Sequence, residues 1–548
     1  MRERMYQTYK SLQNIDNNYF VYFENNKRQK KSFKEFHIDV EECIARLNYL
    51  KTSKSIENVA ILGPTSYQWV VLDHACIKGG FRSVAIPETS SYDIVKKAFE
   101  EIKIDLFLCD FNLKDKYSIP NQETYYFNCE SDYELNFKNI KLGETSECNE
   151  KNLIREEYSI VFSSGTSEKT KYININYYEL EPMQKGIIHK IKQYIAFRNS
   201  LLADLKQKNN KIIIFLPLSH QMQRMFIESA LLRKINIVIS DPVNCFKHII
   251  KEKPNIMISV PPVYEAMASA IQNKLEGLNT WEKRLYIIFN QVGINGLSNK
   301  NIIKRLFQGI LFSKINKIYG GNADLFVVGS APSDPDTLKI FYSIGVKIYE
   351  AYGQSELAWV VSMNTPRKFK IGSVGKPSKN VKLSISDDSE ILLKYDEKYD
   401  GLNKDILDID ENGFIHTHDI GYIDKDGFLF ITGRKDDVII LDNGKKVHPN
   451  KIETIFKRNE KINHVLVYSK DNLKIQAIIS SSKIKDLNEI QQWIEDVNQN
   501  LANFEKINSF YFTNDLFTVE NGMLTSTLKM KRKTIAERYT ESNFIVLN

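Results

Sequence analysis

Short apolar segments that alternate with helix-length amphipathic segments constrain the fold of this chain more than any other feature. The runs Val59–Leu62, Ser83–Ile86 and Asp105–Cys109 each have the length of a strand. Strands that alternate with helices are typical of parallel α/β layers. The same unit recurs at Ile212–Phe215, Ile235–Ile239, Ile256–Val260 and Leu325–Val328. With 548 residues the chain is too long for one hydrophobic core, so we expect two or more domains.

The sequence pattern changes in the last third of the chain. Between Val374 and Thr432, short β segments and Gly/Asp turns favour hairpins. From Lys435 onwards, a hairpin, a helix from Asn450, two strands, a second helix and a lysine-rich tail predict a small α+β module. We therefore predict an N-terminal domain of residues 1–435 and a C-terminal domain of residues 436–548.

Composition limits the location and the partners of the protein. The net charge of +7 is spread along the chain, and without a basic cluster it does not indicate nucleic-acid binding. The N-terminus lacks the apolar stretch of a signal peptide, and the apolar runs are too short for an integral membrane segment. Six scattered cysteines without a CxxC pair favour a reduced, cytoplasmic protein, and no cluster of His and Cys indicates a metal site.

The segment Phe162–Lys171, FSSGTSEKTK, has the composition of a phosphate-binding loop. Gly165 allows backbone turns that point successive N–H groups inward, hydroxyl side chains add donors, and the final lysines supply positive charge. Taken alone, the same composition is more typical of an ordinary solvated loop.

Two later segments carry groups suited to a nucleotide. Tyr349–Glu356, YEAYGQSE, combines a ring that can stack on a purine with a carboxylate that can hold Mg²⁺. In His416–Arg434, Asp419 can accept both hydroxyls of a ribose, and Arg434 can reach the same sugar or its phosphate. The structural alternatives are a helix with a capping acid for the first segment, and a capped turn beside a surface arginine for the second.

A fourth segment, Asn521–Arg532, places Lys529 after a Thr/Ser run on a predicted loop, where alone it reads as one more lysine in a basic tail. Together, in this order and with these separations, the four segments resemble the adenylate-forming superfamily of acyl-CoA synthetases, luciferases and adenylation domains. The resemblance implies an α/β fold with a large N-terminal domain of layered α/β subdomains plus a β-rich subdomain. A small, mobile α+β C-terminal lid would follow.

Within that superfamily the chain is most similar to long-chain fatty acyl-CoA synthetases. Leu216–His220, LPLSH, resembles their LPLxH element, and Val260–Glu265 resembles their VPxxxE element. Gly444–Glu453 and Leu524–Arg532 resemble their lid motifs. Amino-acid-activating domains usually carry an aspartate motif where this chain has LPLSH, which argues against an amino-acid substrate.

The resemblance also implies a nucleotide site. Ser163 to Lys171 would hold the β,γ-phosphates of ATP, and Tyr352 would stack on adenine. Glu350 would accept a hydrogen bond from the adenine amino group, and Asp419 with Arg434 would hold the ribose. The implied nucleotide-binding residues are Ser163, Ser164, Gly165, Thr166, Ser167, Lys171, Gly329, Ser330, Ala331, Pro332, Glu350, Ala351, Tyr352, Gly353, Ser355, Asp419 and Arg434.

Three further residues would take part in catalysis according to the resemblance. Lys529 would bridge the substrate carboxylate and the α-phosphate, Glu356 would ligate Mg²⁺, and His220 would act at the acyl–thiol junction. Asp436 would be the hinge of the lid, and Gly444 would leave room for a pantetheine arm.

The phosphate loop departs from the pattern of the superfamily. Glu168 stands where a glycine is usual, and Thr170-Lys171-Tyr172 replaces Pro-Lys-Gly. An acid at this position repels phosphate by about 1 kcal/mol or more if it is partly buried, which Lys169 and Lys171 can offset.

The implied reaction is ATP-dependent activation of a medium- or long-chain fatty acid to acyl-AMP, with release of pyrophosphate, followed by transfer to the thiol of CoA. One alternative is an acyl-AMP ligase that loads the phosphopantetheine of an acyl carrier protein. Another is a degenerate relative that binds nucleotide or acyl chains without turnover. The implied cofactors are ATP and Mg²⁺, with CoA or phosphopantetheine as the acceptor.

Overall fold

A computed structural model of the chain describes residues 2–120, 122–129, 133–142, 157–163, 171–176, 210–284, 286, 313–321, 323–354, 356–357, 359–378, 381–395, 406–459, 461–525, 528–539 and 542–547. The helices in these ranges are α1 Arg2–Leu12, α2 Phe33–Ser53, α3 Tyr67–Lys78, α4 Tyr92–Ile102, α5 Gln221–Arg233, α6 Cys245–Glu252, α7 Pro261–Glu276, α8 Ser313–Asn316, α9 Pro335–Ser343, α10 Pro449–Phe456, α11 Leu487–Gln499 and α12 Arg532–Tyr539. Short 3-10 turns occupy Phe111–Leu113, Phe137–Asn139 and Lys317–Tyr319.

The first sheet has six strands in the order β6-β5-β3-β4-β7-β8. Five of them run parallel, and β8 pairs antiparallel with β7 at one edge. Their bounds are β3 Asn58–Leu62, β4 Arg82–Ile86, β5 Leu106–Asp110, β6 Thr124–Phe127, β7 Glu157–Ser163 and β8 Lys171–Asn176. The central strands are buried on both faces, as expected for parallel strands with helices on either side.

The second sheet has nine strands in the order β15-β14-β13-β12-β11-β9-β10-β1-β2. The six central strands are parallel, and antiparallel strands flank them on both sides. The bounds are β1 Tyr19–Glu24, β2 Lys27–Ser32, β9 Lys211–Ile214, β10 Asn236–Ile239, β11 Ile256–Ser259, β12 Leu325–Val328, β13 Ile348–Gln354, β14 Trp359–Met363 and β15 Lys376–Pro377.

Helices α3 and α5 pack between the two sheets. Trp69 of α3 and Phe226 of α5 belong to one buried cluster that also contains Val59 of β3 and Ile212 of β9. Side chains of alternate residues on β9, such as Ile213, enter a second cluster on the opposite face of the sheet. The nine-stranded sheet is therefore covered on both faces, with α5 against the face that looks towards the six-stranded sheet.

A third sheet is wholly antiparallel and contains β16 Val381–Ile385, β17 Glu390–Tyr395, β18 Ile415–Ile423 and β19 Leu429–Arg434. Beyond it lie a two-stranded ribbon, β20 Ile439–Ile440 with β21 Lys446–Val447, and a mixed sheet of β22 His464–Tyr468, β23 Ile475–Ser480, β24 Ile507–Thr513 and β25 Ile545–Val546. Helices α10 and α11 pack on this last sheet around a core of their own. The predicted α/β fold class, with a large N-terminal part, a β-rich part and a small α+β C-terminal part, is confirmed.

Two local predictions are wrong. The polar composition of residues 1–55, with Phe33, Phe36, Cys43 and Leu47 at helical spacing, predicts helix. Tyr19–Glu24 and Lys27–Ser32 instead form a hairpin whose first strand pairs parallel with β10. The end of the chain is not a lysine-rich tail, since β24 pairs with β23 along its length and α12 follows. In both places long-range strand pairing supplies a stability that the local composition does not reveal.

Candidate active site

An apolar cavity runs along the α5 face of the nine-stranded sheet. Its volume is about 1410 Å³, including its open mouth. The carboxyl ends of the parallel strands bring Leu216, Val260 and Gly329 to the mouth, and the amino ends bring Ile212, Ile256 and Leu325 to the floor. The cavity thus extends over the full length of these strands and has the apolar lining that a hydrocarbon chain requires.

Helix α5 forms the opposite wall. His220 is its N-cap residue at the mouth, and Met222, Met225 and Phe226 present one continuous face to the cavity. This spacing of three and four residues places the side chains on one side of a helix. Burial, with the nearby charge of Lys529, lowers the pKa of His220 to about 4, so its imidazole is neutral at pH 7.

A buried ion pair fixes α5 against the first sheet. Arg224 donates to both carboxylate oxygens of Asp73 on α3, at 2.5 and 2.9 Å, and to Ser159 Oγ at 2.6 Å. Ser83 Oγ donates to the same carboxylate at 2.6 Å. Arg224 and Asp73 are 2% and 1% exposed, so both charges depend on protein partners, which also include Gln221 Oε1 at 3.3 Å from Arg224 Nη1.

Several residues that the sequence predicts to bind the nucleotide come together at the mouth of the cavity. Tyr352 Oη and Gln354 Nε2 donate to Asp419 Oδ2 at 2.6 and 2.7 Å, and Arg434 Nη1 donates to Asp419 Oδ1 at 3.3 Å. Burial and the neighbouring Asp419 carboxylate raise the pKa of Tyr352, which keeps its phenol protonated as a donor. Because two of these donors use Oδ2, Oδ1 retains capacity to accept from a ligand hydroxyl.

Lys529 reaches this site from the C-terminal part of the chain. Burial lowers the pKa of Lys529, and the charges of Asp419 and Glu356 oppose that shift while Arg434 adds to it. Lys529 also lowers the pKa of His220, so the structure brings all five charged or titratable groups within electrostatic range. By solvent-accessible surface Lys529 is an exposed residue, so water reduces the size of this shift.

The Lys529 loop is held on both sides. Lys529 N–H donates to Thr525 Oγ1 at 3.0 Å, and Thr525 N–H donates to Lys529 O at 2.8 Å. Leu528 packs against the core cluster that contains β11 and β12 of the large sheet. The loop therefore joins the C-terminal part to the rim of the cavity.

Other residues of the predicted nucleotide site lie around the mouth. Gly329, Ser330, Ala351 and Gly353 line the cavity. A Cβ on Gly329 would lie 3.1 Å from Ala351 O, so this position favours a glycine. Ala331 and Pro332 follow directly but are not part of the cavity lining.

Glu350 has a different environment from the one that the sequence predicts. It is 5% exposed and its Oε2 accepts from Gly372 N–H at 2.9 Å. Burial raises the pKa of Glu350 to about 8, only partly opposed by that hydrogen bond. Glu350 is not among the residues that line the cavity, and its contact with adenine stays a prediction.

The phosphate loop lies mostly outside the described residues. Ser163 ends β7 and Lys171 begins β8, and the two residues are paired across the strands. Ser164, Gly165, Thr166 and Ser167 between them, and Ser355 in the second motif, lie outside the described residues.

The predicted hinge and thiol positions are in exposed segments. Asp436 Oδ2 accepts from Arg434 Nη2 at 3.0 Å, directly before the C-terminal part. Gly444 has φ +77° in the turn between β20 and β21, and no atom lies within 4 Å of a Cβ placed there. Backbone conformation accounts for the glycine in this structure, and its role towards pantetheine stays a prediction.

Sequence reasoning overlooked Gln354 and Arg224. Gln354 lies inside the quoted YGQSE run, and its donation to Thr417 O at 2.7 Å, besides Asp419, ties β13 to β18. Arg224 lies in a helix that also contains Glu228 and two glutamines, so the sequence does not single it out, and its partner Asp73 is 151 residues away.

The described ranges contain no group of three or more His, Cys, Asp or Glu side chains arranged to hold a metal. In the same ranges no helix combines the length and the apolar character that crossing a membrane requires.

Comparison with protein families finds two matches. Residues 11–398 match the model described as AMP-binding enzyme, and residues 436–542 match the model described as AMP-binding enzyme C-terminal domain.

Curated relatives extend over most of the chain. A long-chain-fatty-acid–CoA ligase of Mycobacterium bovis is 25% identical over 551 residues, covering 90% of this chain and 88% of its own. Long-chain-fatty-acid–CoA ligase 5 of Rattus norvegicus is 25% identical over 552 residues, covering 87% of this chain and 78% of its own.

Solved structures share the fold at low sequence identity. The o-succinylbenzoate CoA synthetase of Bacillus subtilis, in complex with its acyl-adenylate intermediate, aligns with a TM-score of 0.66 and 16% identity over 97% of both chains. The adenylation domain of a carboxylate reductase from Mycobacterium chelonae aligns with a TM-score of 0.72 and 16% identity over 98% of this chain and 89% of that one.

Proposed function

Because the chain belongs to the AMP-binding enzyme family, whose members are AMP-forming ligases, we propose that it activates a long-chain fatty acid with ATP and transfers the acyl group to CoA. The curated relatives support this substrate class and this acceptor, since they are long-chain-fatty-acid–CoA ligases. The apolar cavity supports it independently, because an aliphatic chain would be removed from water along its whole length.

One observation carries the proposal. Lys529 is within electrostatic range of Asp419, Arg434 and Glu356, and also of His220 at the mouth of the apolar cavity. A carboxylate that attacks an α-phosphate brings two anions together, and a cation placed at their meeting point lowers the barrier.

The residues at the mouth fit a nucleotide. Tyr352 offers a flat ring beside the Gly329–Ser330 turn, and Asp419 Oδ1 can accept from ribose hydroxyls. Glu356 is half-buried next to Lys529, and a single carboxylate with substrate phosphates is a common arrangement for Mg²⁺. The metal would neutralise phosphate charge when it is bound.

The neutral His220 sits where the acyl carboxyl would meet its acceptor thiol. An uncharged imidazole can accept or donate one hydrogen bond without attracting the carboxylate away from Lys529. We assign His220 to positioning of the reacting carbonyl, and Lys529 to the first half-reaction.

The second half-reaction requires a different set of groups at the mouth. Residues 436–548 have a core of their own, and Asp436 is the second residue after the last strand of the β-rich sheet. We propose that this part moves as a lid about Asp436, which would withdraw Lys529 and admit the thiol.

A test measures pyrophosphate release across straight-chain carboxylic acids with ATP and Mg²⁺. We expect the best rates for long-chain acids, and thioester formation with CoA in preference to a phosphopantetheinylated carrier protein. If the carrier protein is the better acceptor, it replaces CoA in the proposed reaction. If no acid gives pyrophosphate release, the proposal is overturned.

The matched variants are Lys529→Ala and Lys531→Ala, the latter an exposed lysine two residues away. Lys529→Ala should lower adenylate formation by about 100-fold or more, as for the loss of one charge-stabilising group. It should largely spare thioester formation from supplied acyl-adenylate, and Lys531→Ala should behave as the native enzyme. Equal loss of both half-reactions in Lys529→Ala would remove it from the assigned role.

A further inference from the structure

Helix α6 turns an apolar side towards solvent. Its buried side chains follow a spacing of three and four residues and are Cys245, His248, Ile249 and Glu252. On the opposite side Ile250 is 49% exposed, and Val243, directly before the N-cap residue, is 88% exposed. The N-cap residue Asn244 already has helical backbone angles, so Val243 and Ile250, about two turns apart, lie on the same side.

The same side of α6 is basic. Lys247 and Lys251 are exposed between and beside the two apolar residues, and Lys253 is exposed at the end of the helix. The acidic residue of the helix, Glu252, is 6% exposed and points inward, where it accepts from Arg28 Nε at 2.6 Å and from Lys211 Nζ at 3.1 Å. The lysines of the outward side therefore keep their charge without an acid in their own helix.

The β1–β2 hairpin continues this surface. The ring of Phe23 stacks on that of His248 with centroids 3.4 Å apart, and Lys251 Nζ lies 5.7 Å from the centre of the Phe23 ring. Lys30 of β2 is exposed and lies over the ring of Tyr19 at 4.0 Å. Strand residues alternate between the two faces of a sheet, so Lys30 shares the face of Arg28, which contacts α6, while Glu24 points to the other face.

Together these residues form what we call the α6 surface. Its apolar members are Val243, Phe246 and Ile250, and its basic members are Lys30, Lys247, Lys251 and Lys253.

Two ordinary explanations account for only part of the α6 surface. Lysines on an edge strand such as β2 prevent pairing with another sheet, but α6 has no strand edge to protect. A single exposed apolar side chain is normal in a soluble protein, but here two of them stand on one side of a helix with lysines around them. That arrangement is typical of helices that lie in the interface of a lipid bilayer.

We propose that the α6 surface docks this protein on an anionic membrane surface. Val243 and Ile250 would enter the boundary between headgroups and acyl chains, and the lysines would meet lipid phosphates. A nucleic acid offers phosphates as well, but it offers no apolar phase to the two aliphatic side chains. The proposal does not depend on the proposed reaction, because it rests on the outer surface alone.

The position of the α6 surface gives docking a consequence. Val243 follows the carboxyl end of β10, and the cavity mouth lies at the carboxyl ends of β9 and β11 in the same sheet. Docking through the start of α6 would therefore hold the cavity mouth near the bilayer, where apolar acids concentrate.

The test is cosedimentation of the full chain with vesicles of phosphatidylcholine alone, or of phosphatidylcholine with about 30% phosphatidylglycerol. We expect binding to the anionic vesicles only. Raising NaCl from about 0.05 M to about 0.5 M should weaken it about fivefold or more, because salt screens the lysines.

Two double variants separate the apolar and basic contributions. Val243→Asp with Ile250→Asp should weaken binding to anionic vesicles about tenfold or more, since both aliphatic groups are lost. Lys247→Glu with Lys251→Glu should weaken it about 25-fold or more. All four side chains are exposed or partly exposed, so the Tm of each variant should stay close to that of the native protein.

Matched controls carry the same changes elsewhere on the surface. Leu473→Asp alters an aliphatic residue that is 62% exposed beside Lys474, in the turn between β22 and β23. Lys425→Glu with Lys485→Glu reverses two exposed lysines outside the α6 surface. Both controls should bind anionic vesicles nearly as the native protein does.

The outcomes are distinct. Failure to bind anionic vesicles, equal binding to neutral vesicles, or equal losses in the variants and their controls would overturn the proposal. A short DNA duplex distinguishes the other class of polyanion. If the duplex binds more tightly than the vesicles, and the aspartate pair weakens neither, the α6 surface recognises nucleic acid and the membrane proposal is wrong.

Discussion

The carboxyl group of Glu350 makes the stability of the N-terminal part sensitive to pH. Glu350 is 5% exposed, its described partner is the N–H of Gly372, and its pKa is raised from 4.5 to about 8. Between these two values the folded protein keeps a proton that the unfolded chain releases. Stability is therefore fully present below about pH 4.5 and is lost as the pH rises through about 8.

The size of the effect follows from the same pKa. Each pH unit above the unfolded value costs about 1.4 kcal/mol, so Glu350 reduces stability at pH 7 by about 3 kcal/mol. Glu350→Gln removes the titration but keeps an oxygen that can accept from Gly372 N–H. The variant should match the native protein near pH 4.5 and exceed its stability by about 3 kcal/mol at pH 7.

Urea unfolding midpoints at several pH values between 4.5 and 8.5 measure this difference. The control is Glu411→Gln, an exposed glutamate in the turn that precedes β18, which should not alter the pH dependence. Parallel profiles for Glu350→Gln and the native protein, or a variant that is less stable at pH 8, would refute the reasoning. The KM for ATP of Glu350→Gln tests the predicted adenine contact in the same preparation.

Three further substitutions test other parts of the structure. Arg224→Ala should cost about 3–5 kcal/mol because it leaves Asp73 charged and buried, and the double change Asp73→Leu with Arg224→Met should recover most of the loss in urea unfolding. Glu356→Gln should raise the Mg²⁺ concentration needed for half-maximal activity, and an unchanged requirement would exclude Glu356 from the metal site. Gly375→Ala should destabilise by about 3 kcal/mol or more in thermal unfolding, since a Cβ there would lie 2.1 Å from the backbone carbon of Met363; a native Tm would contradict the local geometry.

The fold could be predicted best where strands are buried on both faces. Leu325–Val328 has the predicted bounds, and Asn58–Leu62 and Arg82–Ile86 each extend the predicted strand by one residue. A short apolar run enclosed by polar residues has few other stable solutions. Lys27–Ser32 could not be found this way. Its residues are polar or charged, as is common at the edge of a sheet, and only its pairing with Tyr19–Glu24 makes it a strand.

In the candidate site, too, some features could be predicted from the sequence and others could not. The motifs located Tyr352, Asp419, Arg434 and Lys529, which the structure brings together from three separate parts of the chain. The sequence could not reveal that Glu350 is bonded to Gly372, because that contact depends on how a later loop folds back on β13.

Helix α5 runs along the cavity from its N-cap residue His220 at the mouth, and Arg224 fixes its middle to α3. One helix would therefore contact both the carboxyl end and the hydrocarbon end of a bound acyl chain. An acyl chain that fits the floor of the cavity poorly would push on α5. The helix would transmit this movement to the His220 imidazole and change its position relative to the acyl carboxyl group. An acyl chain of the wrong length should therefore slow the chemical step. The enzyme should then discriminate between chain lengths in kcat as much as in KM.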